Sequence, residues 1–336
     1  MKRLNAQDFL LLSEKTPIID VRSPVEFEQG RLPNALNMPL FSNEERTVVG
    51  TLYKQQGPLI AFKKGLDYIG PKMSSFIRFV EKLESRELLV HCWRGGNRSQ
   101  SVALLLEAAG FSVSVLSGGY KAYRKTALDF FSQPLPLIVL TGYTGSLKTE
   151  VLHVLTDQGE QVVDLEGLAC HQGSAFGRQL SQLQPTSEQF QNQLYEAFRA
   201  MDLNRRIWVE DESMSIGAVN LVSELYLQKN AAPCVFLDVP QDMRLQNLIK
   251  NYSNMSKELL IEATIRIQKK LGQNETAQAI EFINGDEALE AAKIILKYYD
   301  KRYFKSIENK MDHLKLHLEI NSNDPIMIAN EILSKL

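Results

Sequence analysis

The chain has 336 residues, of which 44% are hydrophobic and 23% charged, as is typical of a globular protein with two separate cores. Its net charge of −2 excludes a diffuse basic field, so any RNA must be bound by a local basic surface. Three cysteines without C-x-x-C spacing argue against a disulfide framework and a zinc site. No membrane-spanning run or signal peptide is apparent, and we expect a reducing cytoplasm.

The first part of the chain alternates short apolar strands with helical segments. Residues 1–12 predict a first helix. Buried strands are predicted at 17–21, 88–91 and 112–116, with a helix over 99–109 that Gly110 ends. This alternation predicts a parallel sheet with helices on its faces, over residues 1–128.

A linker is predicted at 131–136, followed by a second α/β series over 136–336. Its strands are predicted at 137–141, 161–165, 206–209, 233–239 and 315–320. Residues from 241 to about 310 are predicted to be helical, with one break near Gly272, and Pro325 is expected to open a last helix.

The segment after the strand at 88–91 predicts a nucleophilic cysteine. Cys92 stands at the strand end, and Arg98 follows after five residues at the start of a helix. A short loop with two glycines can direct backbone N–H groups inward, and the positive end of the helix adds to this anion-binding nest. Such a setting lowers a thiol pKa from its usual value of about 8.5.

We therefore predict that Cys92 is a catalytic nucleophile that accepts sulfur or selenium, or attacks phosphorus. The predicted substrate-binding residues are those of its loop: Arg94, Gly95, Gly96, Asn97 and Arg98. The alternative is a buried structural cysteine, which is the interpretation we give to Cys170 and Cys234. His91 is expected to pack at the strand end and not to act as a base.

Three segments of residues 1–125 resemble the rhodanese family. Residues 20–27 (DVRSPVEF) are similar to its D-x-R-x-x-x-E-[FY] signature, and residues 30–39 to its G-H-I-P-G-A-x-N-x-P segment. Residues 118–123 resemble its closing G-G-x-x-x-W, with Tyr123 in place of tryptophan. The resemblance implies a rhodanese-like fold with Cys92 as the chalcogen carrier.

A second motif follows the strand at 137–141. The P-loop template is G-x-x-x-x-G-K-[ST], and residues 142–149 match it except that Leu147 replaces the glycine before the lysine. A side chain there crowds the approach of phosphate, so nucleotide hydrolysis is not expected. The predicted phosphate-binding residues are Gly142, Thr144, Gly145, Ser146, Lys148 and Thr149. The alternative is a polar strand-to-helix turn with an incidental lysine.

Further candidates for a site in the second domain come from two other segments: Asp164, Glu166, His171, Gly173, Ser174, Glu210 and Asp211. Acidic residues at the end of a strand are the usual place for a carboxylate that organises Mg²⁺. Mg²⁺, with Thr149 as a ligand, stays open, but we assign no metal site and no firm cofactor. Asp164 could equally only cap the next helix.

The order of these blocks along the chain resembles the tRNA 2-selenouridine synthase family. The resemblance rests on residues 92–99, 164–177, 184–190, 209–213 and 298–300. It implies a transferase that replaces the sulfur of wobble 2-thiouridine in tRNA by selenium, with selenophosphate as donor and a geranylated intermediate made from geranyl diphosphate. Leu147, and Gln172 where a basic residue is expected, depart from the family pattern in the second domain.

An RNA-binding surface is predicted in the helical region. Basic residues with helical spacing are interleaved there with aromatic residues, a pattern suited to an anticodon loop. The predicted tRNA-binding residues are Lys297, Lys301, Arg302 and Lys305. The alternative is a solvated helix face over core aromatic residues.

Two other functions stay open. One is a generic rhodanese-type sulfurtransferase, or a C-x5-R enzyme that cleaves arsenate or phosphate esters, fused to an anion-binding P-loop domain. The other is a non-catalytic module whose loops only bind anions, against which the thiol of Cys92 argues.

Overall fold

The computed structural model describes residues 1–171, 183–252, 255–308 and 310–336, with the backbone alone at 251, 252, 302, 303, 305–307 and 311. The chain divides into two compact units. Unit 1 contains Met1–Phe130 with Gln191–Glu196, and unit 2 contains Phe131–Phe190 with Ala197–Leu336. Both are α/β units built on a parallel sheet, as the alternating pattern predicts.

The sheet of unit 1 has five parallel strands. They are β1 Lys2–Leu4, β2 Ile18–Asp20, β3 Leu36–Asn37, β4 Glu87–His91 and β5 Ser112–Leu116. Their order is β1-β5-β4-β2-β3, so β4, the strand that leads to Cys92, is central. Apolar residues of the strands and helices, among them Val90, Val102 and Leu106, form its core.

Seven helices accompany this sheet: α1 Ala6–Leu12, α2 Pro24–Gln29, α3 Asn43–Gln55, α4 Pro58–Ile69, α5 Met73–Glu81, α6 Asn97–Ala108 and α7 Gly119–Asp129. The α3–α4 pair has clear start signals, because Ser42 and Glu45 form a capping box before α3 and Pro58 occupies the first turn of α4. This pair was not predicted from the sequence.

Within the described residues, the sheet of unit 2 also has five parallel strands. They are β6 Leu137–Gly142, β7 Gln161–Val163, β8 Ile207–Glu210, β11 Cys234–Asp238 and β12 Leu314–Glu319. Their order is β12-β11-β6-β8-β7, which puts the strand before the P-loop in the centre and β8 beside it. A short antiparallel hairpin, β9 Ser215–Ile216 and β10 Val219–Asn220, follows β8.

The helices of this part of the chain are α8 Lys148–Asp157, α9 Leu165–Ala169, α10 Ser187–Arg199, α11 Ser223–Ala231, α12 Gln241–Tyr252, α13 Lys257–Leu271, α14 Gln273–Asn284, α15 Ala288–Glu308 and α16 Pro325–Lys335. The predicted break lies at Gly272, between α13 and α14, where φ is +111°. Pro325 stands in the first turn of α16, as predicted. Among the residues described, no helix combines the length and apolar character needed to cross a bilayer.

Two sequence predictions of secondary structure were wrong in detail. The predicted first helix is split: Lys2–Leu4 pairs with β5 as an edge strand, and Asn5 caps a helix that begins only at Ala6. The strand predicted at 161–165 ends at Val163, because Asp164 caps a helix that begins at Leu165. In both cases a capping side chain sets the boundary between a strand and a helix, and the pattern of apolar residues alone does not show this boundary.

Candidate active sites

Cys92 lies directly after β4 and before the first turn of α6. Its side chain is buried, with only 3% of the residue exposed. The sulfur lies 3.2 Å from the hydroxyl oxygen of Ser99, and that hydroxyl also donates to the carbonyl of Gly96 at 3.1 Å. The thiol is therefore held against the start of a helix, as the sequence predicts.

Two glycine turns hold the Cys92 loop by direct backbone contact. The N–H of Tyr120 donates to the Cys92 carbonyl at 2.8 Å. A Cβ at Gly119 would lie 2.3 Å from that carbonyl oxygen and 2.5 Å from the nitrogen of Gly95. Both glycines have positive φ, 61° at Gly119 and 66° at Gly95. Only glycine allows the loop and this turn to pack so closely.

The two arginines of the loop have different surroundings. Arg98 forms an ion pair with Glu26, whose oxygen lies 2.7 Å from a guanidinium nitrogen. Burial opposes ionisation of Glu26, but the hydrogen bond and charge of Arg98 outweigh it and lower the pKa of that carboxyl. Arg94 is exposed and has no ion pair within the described part of the chain. Arg94 is thus the better placed to bind an anion.

The remaining candidates of this loop lie around its helix end. Asn97 is the first residue of α6 and is exposed, and Gly96 precedes it as the capping residue. His91 is fully buried between the rings of Phe9 and Tyr120. Burial lowers the pKa of His91, so the ring is neutral and packs at the strand end, as predicted.

In unit 2, the P-loop segment keeps the backbone shape that a glycine would give. Leu147 has φ 58° and ψ 26°, in the left-handed region that favours glycine. Lys148 opens α8, and its Nζ lies 3.3 Å from the carbonyl oxygen of Gly142 and 3.9 Å from Glu210 Oε1. The loop therefore has the turn of a phosphate cradle, with a leucine side chain added to it.

Helix α12 braces this loop from the side. Arg244 donates to the carbonyl of Thr144 at 3.3 Å and forms a two-point ion pair with Asp300, at 2.7 and 2.9 Å. Asn247 donates to the carbonyl of Gly145 at 2.9 Å, and the buried hydroxyl of Ser146 donates to a carbonyl within the loop. Arg244 and Asn247 were not predicted as site residues, because nothing nearby in the sequence links them to the loop.

Three buried glutamates meet beside Thr149. Glu166, Glu210 and Glu212 each offer a carboxylate oxygen, and these atoms lie within 4.8 Å of one another. The hydroxyl oxygen of Thr149 is 3.4 Å from Glu166 and 3.3 Å from Glu210. Burial, reinforced by the neighbouring carboxylates, raises the pKa of Glu166 to about 10. Burial likewise raises the pKa of Glu210 to about 8, and it also raises the pKa of Glu212. The cluster binds protons unless a cation replaces them.

Asp211 has the opposite surroundings. Burial would raise its pKa, but the charges of Lys229 and Lys310 outweigh this and lower the pKa to about 2. The Nζ of Lys229 lies 3.0 Å away, Lys310 also donates to this carboxylate, and the hydroxyl of Thr141 donates at 2.8 Å. Burial in turn lowers the pKa of Lys310 to about 8. Asp211 therefore compensates two buried lysines, and the run Glu210-Asp211-Glu212 divides into two environments.

The other candidates of this domain are spread out. Asp164 caps α9, accepting from the N–H of Gly167 at 2.7 Å, which is one of its two predicted roles. His171 donates its backbone N–H to the Glu166 carbonyl at 3.0 Å, and burial lowers the pKa of its ring. Gly173 and Ser174 lie outside the described residues. Glu212, Lys229 and Lys310 were not predicted as site residues. Of the three, only Glu212 could have been predicted, from its place in the acidic run 210–212.

The basic residues predicted to bind RNA belong to α15. Lys297 and Lys301 are both exposed there, one helical turn apart. The side chains of Arg302 and Lys305 are among those not described. That this helix binds tRNA stays a prediction.

Each unit has a cavity beside its loop. In unit 1 a cavity of about 1060 Å³ reaches Cys92 and is lined by α3, α4, α5 and α6. In unit 2 a cavity of about 330 Å³ adjoins Thr144 of the P-loop segment and is lined mainly by apolar residues of α12 to α15, such as Leu248, Leu260 and Ile295. Both are of a size found for small-molecule sites.

Comparison with known proteins gives two family matches. Residues 135–323 match the family described as tRNA 2-selenouridine synthase AAA domain, and residues 5–126 match the rhodanese-like domain. Together the two matched ranges follow the two-part organisation of the sheets.

Curated relatives agree with these matches. A tRNA 2-selenouridine synthase of Nitrosomonas europaea is 36% identical over 248 residues, which cover 70% of this chain and 63% of that protein. A tRNA 2-selenouridine synthase of Proteus mirabilis is 32% identical over 356 residues, covering 93% of this chain and 94% of that protein. Among solved structures, a rhodanese-related protein of Thermoplasma volcanium is 19% identical, covering 38% of this chain and 93% of its own, with a TM-score of 0.24.

Because Gly119 is in close backbone contact, one added methyl group there should strongly lower the free energy of unfolding. Gly119→Ala brings a Cβ against backbone atoms of Cys92, Gly95 and Arg94, which cannot move without opening the loop. Gly110→Ala is the matched control, because Gly110 also has positive φ, 88°, but open space around it. In urea unfolding, the free energy of unfolding of the control should fall by about 1 to 2 kcal/mol. That of Gly119→Ala should fall by roughly 2 kcal/mol more. Equal losses would contradict the role given to this contact.

The raised pKa values predict how stability depends on pH. Folded Glu166 and Glu210 keep their protons up to pH values of about 10 and 8, whereas the unfolded chain releases them near 4.5. The contribution of these two groups to stability is therefore fully present below pH 4.5 and is lost as pH rises towards 8, by up to about 1.4 kcal/mol per pH unit for each group. Glu210→Gln should flatten this slope in urea unfolding, while the exposed Glu224→Gln should not. An unchanged slope in Glu210→Gln would show that the carboxyl is ionised in the folded protein.

Proposed function

The chain belongs to the tRNA 2-selenouridine synthase family, and from that premise we propose that it replaces the sulfur of wobble 2-thiouridine in tRNA by selenium. Selenophosphate is the proposed selenium donor, and a geranylated thiouridine is the proposed intermediate. The observation that carries the proposal is the thiol of Cys92 at the mouth of a glycine-closed, strand-to-helix loop.

The Cys92 loop suits a small tetrahedral anion. The thiol lies at the start of α6, whose N-terminal end favours negative charge, and Arg94 is exposed beside it. Selenophosphate is such an anion, and its reactive atoms would be brought next to the nucleophile. A purely structural cysteine would have no need of an adjoining cavity.

The proposed exchange balances without an external oxidant or reductant. The selenium of selenophosphate attacks C2 of the S-geranylated uracil, and geranylthiolate leaves with the electron pair of the C–S bond. The Cys92 thiolate then attacks phosphorus, selenium leaves as the new C2 substituent, and water releases phosphate from Cys92. If Cys92 instead carried selenium itself, the selenenyl sulfide would be two electrons more oxidised and a second thiol would have to reduce it.

We assign the geranyl step to unit 2. The diphosphate of geranyl diphosphate would be bound by the loop of residues 142–149 with Lys148, and its apolar chain would fit the cavity of about 330 Å³ at Thr144. The uridine sulfur attacks the first carbon of the chain, and diphosphate leaves with the C–O electron pair. Leu147 disfavours close approach of a nucleotide, in keeping with a loop that binds phosphates without hydrolysing ATP.

The three glutamates fit Mg²⁺ at this loop. Carboxylate and hydroxyl oxygens are the ligands that this ion prefers, and Glu166, Glu210, Glu212 and Thr149 supply them. The ion would balance the charge of the carboxylates and of a diphosphate. The raised pKa values of these carboxyl groups show that the ionised cluster lacks enough neighbouring positive charge, which a cation would supply.

Replacement of the nucleophile tests this proposal. Cys92→Ser should leave folding and tRNA affinity near the wild-type values and abolish 2-selenouridine, measured by mass spectrometry of nucleosides from tRNA treated with selenophosphate and geranyl diphosphate. Cys170→Ser and Cys234→Ala should keep the activity. Undiminished product from Cys92→Ser would overturn the assignment. Rapid sulfur transfer from thiosulfate by the wild type, with tRNA unchanged, would favour the generic sulfurtransferase.

Assigning the geranyl step to the loop of residues 142–149 predicts a variant that loses geranylation alone. Lys148→Ala should slow formation of S-geranyl-2-thiouridine from geranyl diphosphate about 100-fold, because the charge that stabilises the leaving diphosphate is gone. It should leave selenium exchange on an RNA already geranylated unchanged. Lys335→Ala, at the exposed end of α16, is the control for loss of a lysine. Brisk ATP hydrolysis by the wild type would count against this use of the loop.

A further inference from the structure

The cavity beside Cys92 is much larger than selenophosphate requires. Its volume is about 1060 Å³, at the upper end of the roughly 300 to 1,000 Å³ of small-molecule sites. Most of its lining is apolar and comes from α3, α4, α5 and α6; Ala61 and Phe76 are buried there, whereas other lining residues are exposed. A tetrahedral anion would use only the end at the thiol.

The mouth of this cavity exposes large apolar side chains. They are Tyr53, Phe62, Leu66, Met73 and Leu104, each 43 to 61% exposed. A contiguous exposed apolar patch on a protein surface commonly marks a binding site. Since these residues come from four helices, α3 to α6, and all border one cavity, they form a single rim and not scattered surface positions.

Among the described residues that line the cavity, the charged ones are all basic. They are Arg46, Lys54, Arg94 and Arg98. Glu26, outside the lining, pairs with Arg98 at 2.7 Å and with Arg46 at 3.7 Å, so Arg94 and Lys54 give the cavity its net positive rim. A ligand that complements this cavity has an apolar chain joined to a phosphate-bearing body, and its junction lies near the Cys92 thiol.

We propose that this cavity binds the prenyl chain of the S-prenylated thiouridine, with RNA phosphates on its basic rim, and so brings the carbon–sulfur bond that must break to Cys92. The inference rests on the proposed function and deepens it. It gives unit 1 its own prenyl site, separate from the site for the diphosphate donor. Binding of the leaving chain next to the thiol would let unit 1 select tRNA that has already been prenylated.

One substitution can fill the cavity without disturbing the core. Ser101 is exposed on α6 and borders the cavity, so Ser101→Phe places a ring in it. Ser74→Phe is the matched control, because Ser74 is exposed on α5 and does not border the cavity. Thermal unfolding of both variants checks that each folds like the wild type.

The substrates are anticodon stem-loop RNAs that carry either S-geranyl- or S-methyl-2-thiouridine. For selenium exchange on the S-geranyl RNA, Ser101→Phe should raise KM about tenfold or more, as expected for loss of roughly two buried methylene groups. KM for the S-methyl RNA, and geranylation of 2-thiouridine from geranyl diphosphate, should stay near the wild-type values. Equal effects on both RNAs, or none on either, would overturn the proposal.

Tryptophan emission gives a readout that does not depend on turnover. The chain has two tryptophans; Trp93 borders the cavity, whereas Trp208 is fully buried in unit 2. S-geranyl RNA should change Trp93 emission in the wild type and in Ser74→Phe, and much less in Ser101→Phe. If the wild type forms no 2-selenouridine yet shows this change, the proposed function fails and the cavity assignment stands. A change with anionic phospholipid vesicles but not with S-geranyl RNA would assign the cavity to lipid and overturn it.

Discussion

The constraint on which both candidate sites depend is the parallel sheet. Parallel strands all end at the same edge, so loops that follow neighbouring strands must meet there. In unit 1 the central strand β4 ends at Cys92, and the loop after its neighbour β5 supplies the Gly118–Gly119 turn. In unit 2 the central strand β6 leads to the P-loop segment, and its neighbour β8 ends at Glu210. The sites are consequences of strand order more than of any single motif.

The two loops share this geometry but differ in the charges that surround them. Around Cys92 the charged residues of the cavity lining are basic, and the buried groups are apolar side chains and a thiol. Around Thr149 the buried groups are three carboxyl groups whose pKa values are raised, next to one lysine. The first environment attracts an anion, whereas the second needs a cation or protons before it can accept one. This difference is the physical basis for assigning selenophosphate to unit 1, and a diphosphate with Mg²⁺ to unit 2.

Much of this could be predicted from the sequence, where local patterns carry the information. The apolar strands before Cys92 and Gly142, the glycines of the Cys92 loop and the break at Gly272 all lie within a few residues of the feature they determine. What could not be predicted comes from pairing across long stretches of chain. Lys229 and Lys310 meet at Asp211, and Arg244 joins Thr144 to Asp300, only because the sheet brings their elements together. The α3–α4 pair shows a third case: its caps were readable, but the cavity it lines depends on packing against α6.

The central claim is that the phosphoryl group of selenophosphate passes through a covalent bond to Cys92 when selenium is released to the uridine. The most direct measurement is rapid-quench mass spectrometry of the Cys92 peptide during the first turnover with selenophosphate and S-geranyl RNA. The adduct should be transient and confined to Cys92, with the mass of a phosphoryl group and not of selenium. It should form at the rate at which 2-selenouridine appears, before water removes it. Formation of 2-selenouridine at full rate while the Cys92 peptide stays unmodified would contradict the claim.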